Sequence, residues 1–223
     1  LGQRSAAALF SARQQLAQLL HCAPKELFFT SGGSEADNQA LISAAAIGRQ
    51  QGKRHIISTA MEHHAILHTL EALEEQGFTI TLLRPQKDGI VTAAQIAAAL
   101  TDETCLVSVM YANNETGAIQ PIKEIGALCR QRGVLFHTDA VQAAGHVDID
   151  VQRDNIDMLS LSAHKFHGPK GVGLLFAKSS IQLTSLIRGG GQERGKRAGT
   201  ENLPGIVGIA AAFKDAQEQL APN

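Results

Sequence analysis

Lys165 stands in the run SLSAHKFHGPKGVGLLF (residues 160–176), flanked by His164 and His167 and followed by a glycine-rich turn and an apolar strand. A lone lysine is ordinarily a solvated surface group. At the end of an apolar run of small residues it can instead act as a Schiff-base nucleophile, which requires a desolvated or electrostatically tuned amine. A second candidate is Asp139 in FHTDAVQAAG, directly after an apolar stretch, where a carboxylate is expensive unless partnered. It either caps a helix, forms a structural ion pair, or holds a protonated ring nitrogen that thereby becomes a better electron sink. Gln142, one turn on, points the same way. In TSGGSEADN (residues 30–38) Ser34 can be a helix N-cap. The same geometry makes an anion cradle, in which glycines such as Gly33 let backbone N–H groups and the helix dipole face a phosphate. Neither GK[ST] nor GxGxxG is present, which favours a compact phosphate over a nucleotide.

Three further motifs stay open at the level of the residues. MEHHAILH (residues 61–68) sets His64 and His68 four apart, but its Glu precedes the histidines and no third ligand is in place, so no metal site is expected. His63, at the helix start, is either a capping residue or a flat ring laid over a planar cofactor. YANNETGAIQP (residues 111–121), which contains Asn114, reads as a polar turn. RGGGQERGKRAGTEN (residues 188–202), which contains Thr200, is unusually rich in glycine and basic residues, and a flexible surface loop would explain it.

The elements that must position these groups alternate. A helical pattern over 3–21 ends before Pro24; ELFFT is a short strand feeding the turn and helix of SGGSEADNQALISAAA. Strand HIISTA precedes a helix near 63–76, FTITLLR one near 92–100, and TCLVSVMYA one near 121–132. VLFHTDA, NIDMLSLSAHK and GVGLLFAK follow as strands, the short turn before the last suggesting a final antiparallel member, and a helix follows Pro204. Such alternation implies an α/β fold with a mostly parallel sheet covered on both faces. In open sheets of this kind ligands sit at the carboxyl ends of the strands. Ser31–Ser34, Asn113 and Asn114, Asp139 and Gln142, and Ser162–Lys165 all fall there.

Composition narrows the classes. The chain has 223 residues, 44% hydrophobic and 18% charged, enough for a substantial core. Lys plus Arg number 20 against 21 Asp plus Glu, so no basic field exists to attract nucleic acid. No apolar run approaches a membrane span, and no signal pattern opens the chain. Cys22, Cys105 and Cys129 are sparse and lack metal spacing, which fits core packing in a reducing cytoplasm.

Taken together, TSGGSEADN, MEHHAIL, NNETGAIQPI, HTDAVQAAG, SLSAHKFHGPKGVG and RGGGQERGKRAGT resemble, in order and spacing, the motifs of pyridoxal 5′-phosphate enzymes of the class V aminotransferase group, specifically the cysteine desulfurases. The resemblance implies a fold type I large domain, a three-layer α/β/α unit, over residues 1–223, with an N-terminal segment and a C-terminal small domain lying outside it. It implies that Lys165 carries the cofactor, His63 stacks on its ring and Asp139 pairs with the ring nitrogen. Gln142 and Asn114 would lie near its phenolic oxygen, and Gly33, Ser34, Ser162 and His164 would hold its phosphate. Thr200 would reach the phosphate of a second subunit in a homodimer. The implied reaction converts L-cysteine to L-alanine, with sulfur passed to an enzyme cysteine and then to an acceptor or scaffold protein of iron–sulfur assembly or a related pathway. The family's acceptor cysteine and its carboxylate-binding arginine lie beyond residue 223, so the chain alone is expected not to turn over. A selenocysteine lyase, another class V enzyme or a non-catalytic scaffold would share most of these residues.

Overall fold

A computed structural model describes residues 2–220. The chain opens with helix α1 (Gly2–Leu19), passes through a short 3-10 turn (Pro24–Glu26) and enters strand β1 (Leu27–Thr30). Then follow α2 (Gly33–Gln50), β2 (His55–Thr59), α3 (His64–Glu75), β3 (Thr79–Leu83), α4 (Ala93–Ala99) and β4 (Thr104–Ser108). The second half holds α5 (Ile122–Arg132), β5 (Leu135–Asp139), β6 (Met158–Ser162), β7 (Gly173–Ala177) and α6 (Leu203–Glu218). The expected alternation is therefore present, with boundaries shifted by a few residues. No helix among the described residues is long and apolar enough to cross a membrane.

The seven strands form one sheet in the order β1-β7-β6-β5-β4-β2-β3. Neighbours from β6 through β5, β4 and β2 to β3 run parallel. Strand β7 is antiparallel to both β6 and β1. The antiparallel member is thus present but lies inside the sheet, because β1 joins its outer side. Strands β2, β4, β6 and β7 are buried along their whole length, as continuous apolar runs covered on both faces must be. Edge strand β3 is half-exposed. One core, with Leu16, Phe136, Leu159, Ile209 and Phe213, lies on the face covered by α1, α5 and α6. The other, with Ala40, Leu41, Ile56, Ile66, Leu70 and Leu106, lies beneath α2 and α3. This is a three-layer α/β/α architecture.

Two close fits set the geometry of the first turn. Small residues on the inner face of α2 (Ala36, Ala40, Ala44) let that helix lie directly on β4, β6 and β7. Gly173 of β7 brings backbone against backbone: a methyl group there would fall 2.6 Å from Gly32 Cα and 2.8 Å from the Leu161 carbonyl oxygen. The turn at residues 31–33 rests on that contact.

The free edge of β1 is closed by side chains rather than by another strand. Glu193 Oε2 accepts the Phe29 N–H at 3.0 Å and a bond from Arg13 Nη1 at 2.9 Å. Arg13 Nη1 and Arg194 Nη2 each donate to the Leu27 carbonyl at 2.7 Å. The two guanidinium groups also stack on Phe29 and Phe28. Glu193 and Arg194 pay for this placement with left-handed backbone, at φ 45 and 57. RGGGQERGKRAGTEN is therefore a fastened segment, not the free surface loop that its composition allowed.

Two expected outcomes follow from these contacts. Gly173→Ala should cost about 1–3 kcal/mol in urea denaturation, since neither contacted backbone can move aside cheaply. A loss below about 0.5 kcal/mol would show that the 31–33 turn does not depend on this contact. Arg13→Ala leaves the Glu193 carboxylate buried without its main partner and should cost about 3–5 kcal/mol. Replacing both residues by apolar ones of similar volume should recover much of that loss.

Candidate functional site

The carboxyl ends of β1, β2, β4, β5 and β6 open on the same edge of the sheet, and their following loops enclose a pocket of about 260 Å³. Nine expected residues line it: Gly33, Ser34, His63, Asn114, Asp139, Gln142, Ser162, His164 and Lys165. Thr200 does not. It is exposed and lines a separate cleft with Ser31, Arg197, Glu201 and Asn202.

The N-terminus of α2 faces the pocket. Its N-cap is Gly32, with no capping side chain, so Ser34 is not the cap that the sequence allowed. First-turn amides without a capping side chain, together with the helix dipole, make an anion site. The turn itself is held by Thr30 Oγ1 donating to the Gly32 carbonyl at 2.9 Å and by Ser31 N–H donating to Glu35 Oε2 at 2.8 Å. Glu35 also receives Arg197 Nε at 2.9 Å, which ties the turn to the fastened segment. From β6, Ser162 Oγ lies 2.9 Å from His164 Nδ1, adding a hydroxyl and an imidazole to the same donor set.

Asp139 ends β5 with only 5% of its surface exposed. Burial pushes its carboxyl up, while the Val141 N–H, donating to Oδ1 at 2.9 Å, and the facing His63 and Lys165 pull it down. His63 caps α3, its Nδ1 accepting the Ala65 N–H at 3.1 Å. In the neutral ring that leaves the proton on Nε2. Lys165 lies in a 3-10 turn (Ala163–Phe166) directly after β6 and is exposed. The burial that its sequence context suggested is absent, and it faces Asp139 across the pocket. Asn114 is exposed at the rim, whereas its neighbour Asn113 is structural: its side chain accepts from Glu115 and Thr116 and donates to the Met61 carbonyl at 3.1 Å.

Sequence reasoning passed over Asp37, which lines the pocket at 1% exposure, and Glu62, buried behind it. Asp37 follows Gly33 by four residues, hence by one helical turn on the same face, and that spacing was the available signal. His64 and His68 stand with ring centroids 5.2 Å apart on exposed α3, and no group of potential metal ligands occurs among the described residues. The thiols pack against the cores, Cys22 partly buried and Cys105 and Cys129 buried. Burial pushes Cys22 and Cys129 up to about 12 and Cys105 up to about 11.

The donor set fits pyridoxal phosphate. It offers an amide cradle with a hydroxyl and an imidazole for the phosphate, a buried carboxylate for a basic ring nitrogen, a flat imidazole and a primary amine.

Comparison with known proteins agrees with this arrangement. The chain is 56% identical over 209 residues to the cysteine desulfurase IscS of Clostridium botulinum (strain Hall), covering 94% of this chain and 52% of that protein. It is 49% identical over 220 residues to the IscS of Methanosarcina thermophila, covering 99% and 54%. The chain thus spans about half the length of the curated relatives it matches. Among solved structures, a NifS-like protein superposes with a TM-score of 0.95 at 39% identity, covering 99% of this chain and 60% of that one. SspA in complex with cysteine gives 0.91 at 41%, covering 96% and 62%. The family model for aminotransferase class V matches residues 1–220, and with the sheet order and the lysine, aspartate and histidine set in one pocket, the chain belongs to that family.

Proposed function

We propose that this chain is the cofactor-binding part of a pyridoxal phosphate-dependent cysteine desulfurase. The observation that carries the reading is the gathering of Lys165, Asp139 and His63 around one pocket floored by the uncapped start of α2. Identity near half to proteins named cysteine desulfurase, and likeness to a structure named as a complex with cysteine, support L-cysteine as the substrate.

Each residue has a part that its setting allows. The Gly33 and Ser34 amides, Ser162 Oγ and His164 bind the phosphate and fix the cofactor's position. His63 covers the ring, and Gln142 and Asn114 bind its oxygen. Asp139 holds a proton on the ring nitrogen through its buried carboxylate. Bound there, pyridoxal phosphate supplies an electron-accepting ring that spreads the charge left when the substrate α-proton is removed. Lys165 Nζ holds the cofactor at rest and moves that proton at the α-carbon when substrate is present. Sulfur is then taken by a thiolate other than Cys22, Cys105 or Cys129, since a nucleophilic thiol needs exposure and a lowered pKa. Thr200, exposed within the fastened segment, would serve the phosphate of a second copy in a homodimer. The three free cysteines and balanced charge fit a cytoplasmic enzyme that delivers sulfur to an acceptor protein.

Three outcomes test the reading in the complete gene product supplied with L-cysteine. Lys165→Ala should lower alanine formation by at least about 10²-fold, with borohydride labelling of the cofactor at position 165 lost. Labelling of Lys170 or Lys178 in the unaltered enzyme would overturn the assignment. Asp139→Ala should lower turnover more than cofactor capture, because the phosphate groups remain. Exchange of the substrate α-proton at the unaltered rate in that variant would contradict the role given to Asp139. Replacing Cys22, Cys105 and Cys129 together by Ala should leave alanine and persulfide formation within about threefold. Persulfide mapped to any of the three would refute their assignment as packing residues.

A further inference from the structure

Asp37 is a buried, pocket-lining carboxyl whose Oδ1 has no hydrogen-bond partner. Every group packed around it is accounted for. His137, on β5, stands with Nε2 3.7 Å from that oxygen, but its two ring nitrogens are already engaged, Nδ1 with Ser108 Oγ at 2.9 Å and Nε2 with Ser160 Oγ at 3.0 Å. Two hydroxyl partners suit a neutral ring, one nitrogen donating and one accepting. Full burial agrees, holding His137 down to about 3. No cation therefore faces Asp37 from β5. From β6 only the Ser160 hydroxyl faces it, and from the segment before α3 comes Glu62, another acid. The remaining neighbour is Asp139, also negative when ionised.

Asp139 is the better provided of the two. It accepts the Val141 N–H and feels His63 and Lys165, whereas Asp37 has neither an amide donor nor a cation. Two carboxylates cannot both ionise in such a space without a very large cost. We infer that Asp37 is a positioning residue that carries a proton at working pH, so that the pair holds one negative charge and that charge resides on Asp139. A neutral Asp37 occupies the floor of the pocket without competing for the cation that Asp139 binds. An ionised Asp37 would bind that cation in a second arrangement, displacing it from the one that Asp139 fixes.

The proton should be visible in stability as well as in turnover. Burial, then the Asp139 charge, raises Asp37 well above an ordinary aspartate. The folded state thus keeps a proton that the unfolded state has lost, so stability falls as pH rises from the unfolded pKa toward the folded one. Glu62, raised to about 8 mainly by burial, adds a slope of the same sign. Asp37→Asn should remove one part of this alkaline loss and Glu62→Gln the other.

The inference rests on the proposed function only for its effect on turnover, and the decisive measurement is independent of substrate. In the complete gene product labelled at aspartate carboxyl carbons, an NMR titration should show one aspartate still protonated at neutral pH. That resonance should be missing from Asp37→Asn, which should retain turnover within about threefold at pH 7 and lose the alkaline fall of the unaltered enzyme. Persistence of the resonance in Asp37→Asn would overturn the inference. So would a folded Asp37→Asn enzyme that loses 10²-fold or more in turnover, because a charged Asp37 would then be required. If Asp37→Asn does not fold, Asp139→Asn decides: the protonated resonance should remain and titrate at lower pH, its charged neighbour gone. An unmoved titration there would overturn the inference. Failure of the proposed function looks different, since no variant would then act on cysteine while the titrations would still read the proton.

Discussion

Asp139 ends a strand covered on both faces, so water cannot compensate its carboxylate and the protein must. One amide, from Val141, satisfies Oδ1. The rest comes from the pocket, where His63 and Lys165 face it. Neither is in hydrogen-bond contact with the aspartate, and so the compensation is incomplete. That residual demand for a cation leaves the floor of this pocket suited to a basic ring nitrogen rather than closed as a finished ion pair. The start of α2 makes the opposite demand. It presents partial positive charge and amides without a capping side chain, which call for an anion. A ligand with a phosphate and a basic nitrogen answers both.

Holding these demands in register requires a fixed relation between the α2 turn and the ends of β5 and β6. Gly173 sets it from below, where only a missing side chain lets β7 approach Gly32. The segment after β7 sets it from outside. Arg197 binds Glu35, which binds Ser31 in the turn, while Glu193 and Arg194 bind the edge of β1 immediately before it. Residues nearly at opposite ends of the chain thus brace one short loop. Because loop-closure cost grows only slowly with length, such long-range ties are available at little additional entropy once the sheet has formed.

Local signals were legible in the sequence and long-range ones were not. The alternation of apolar runs with helical patterns announced the sheet, and the pocket residues expected from the sequence lie at or just after strand ends. The antiparallel direction of β7 followed from the short turn before it, but its interior position depends on β1 pairing with it from the far end of the chain. Glu193 shows the same limit. In RGGGQERGKRAGT it looks like one charge among several in a soluble loop, and only Arg13, 180 positions away, makes it a buried partner. Asp37 was obscured differently: an acidic residue near a helix N-terminus is expected from the dipole alone, so its spacing from Gly33 did not single it out as buried against Asp139.

The pocket divides into a buried floor and an exposed rim, and the division follows the work of the groups. Asp139 and Ser162 are buried, while His63, Asn114, His164 and Lys165 are exposed. A group that stabilises charge by its fixed position gains from a low-dielectric, packed setting, because no reorganisation is needed when the charge appears. A group that must exchange partners cannot be packed so tightly. Under the proposed function Lys165 would hold a cofactor, release it and then reach a proton on the substrate, and each step needs freedom of a long side chain. Its exposure at the mouth is therefore consistent with its role, whereas exposure of Asp139 would not be. The electrostatic character of the site is built into the sheet, and its moving parts are carried on the turns that leave it.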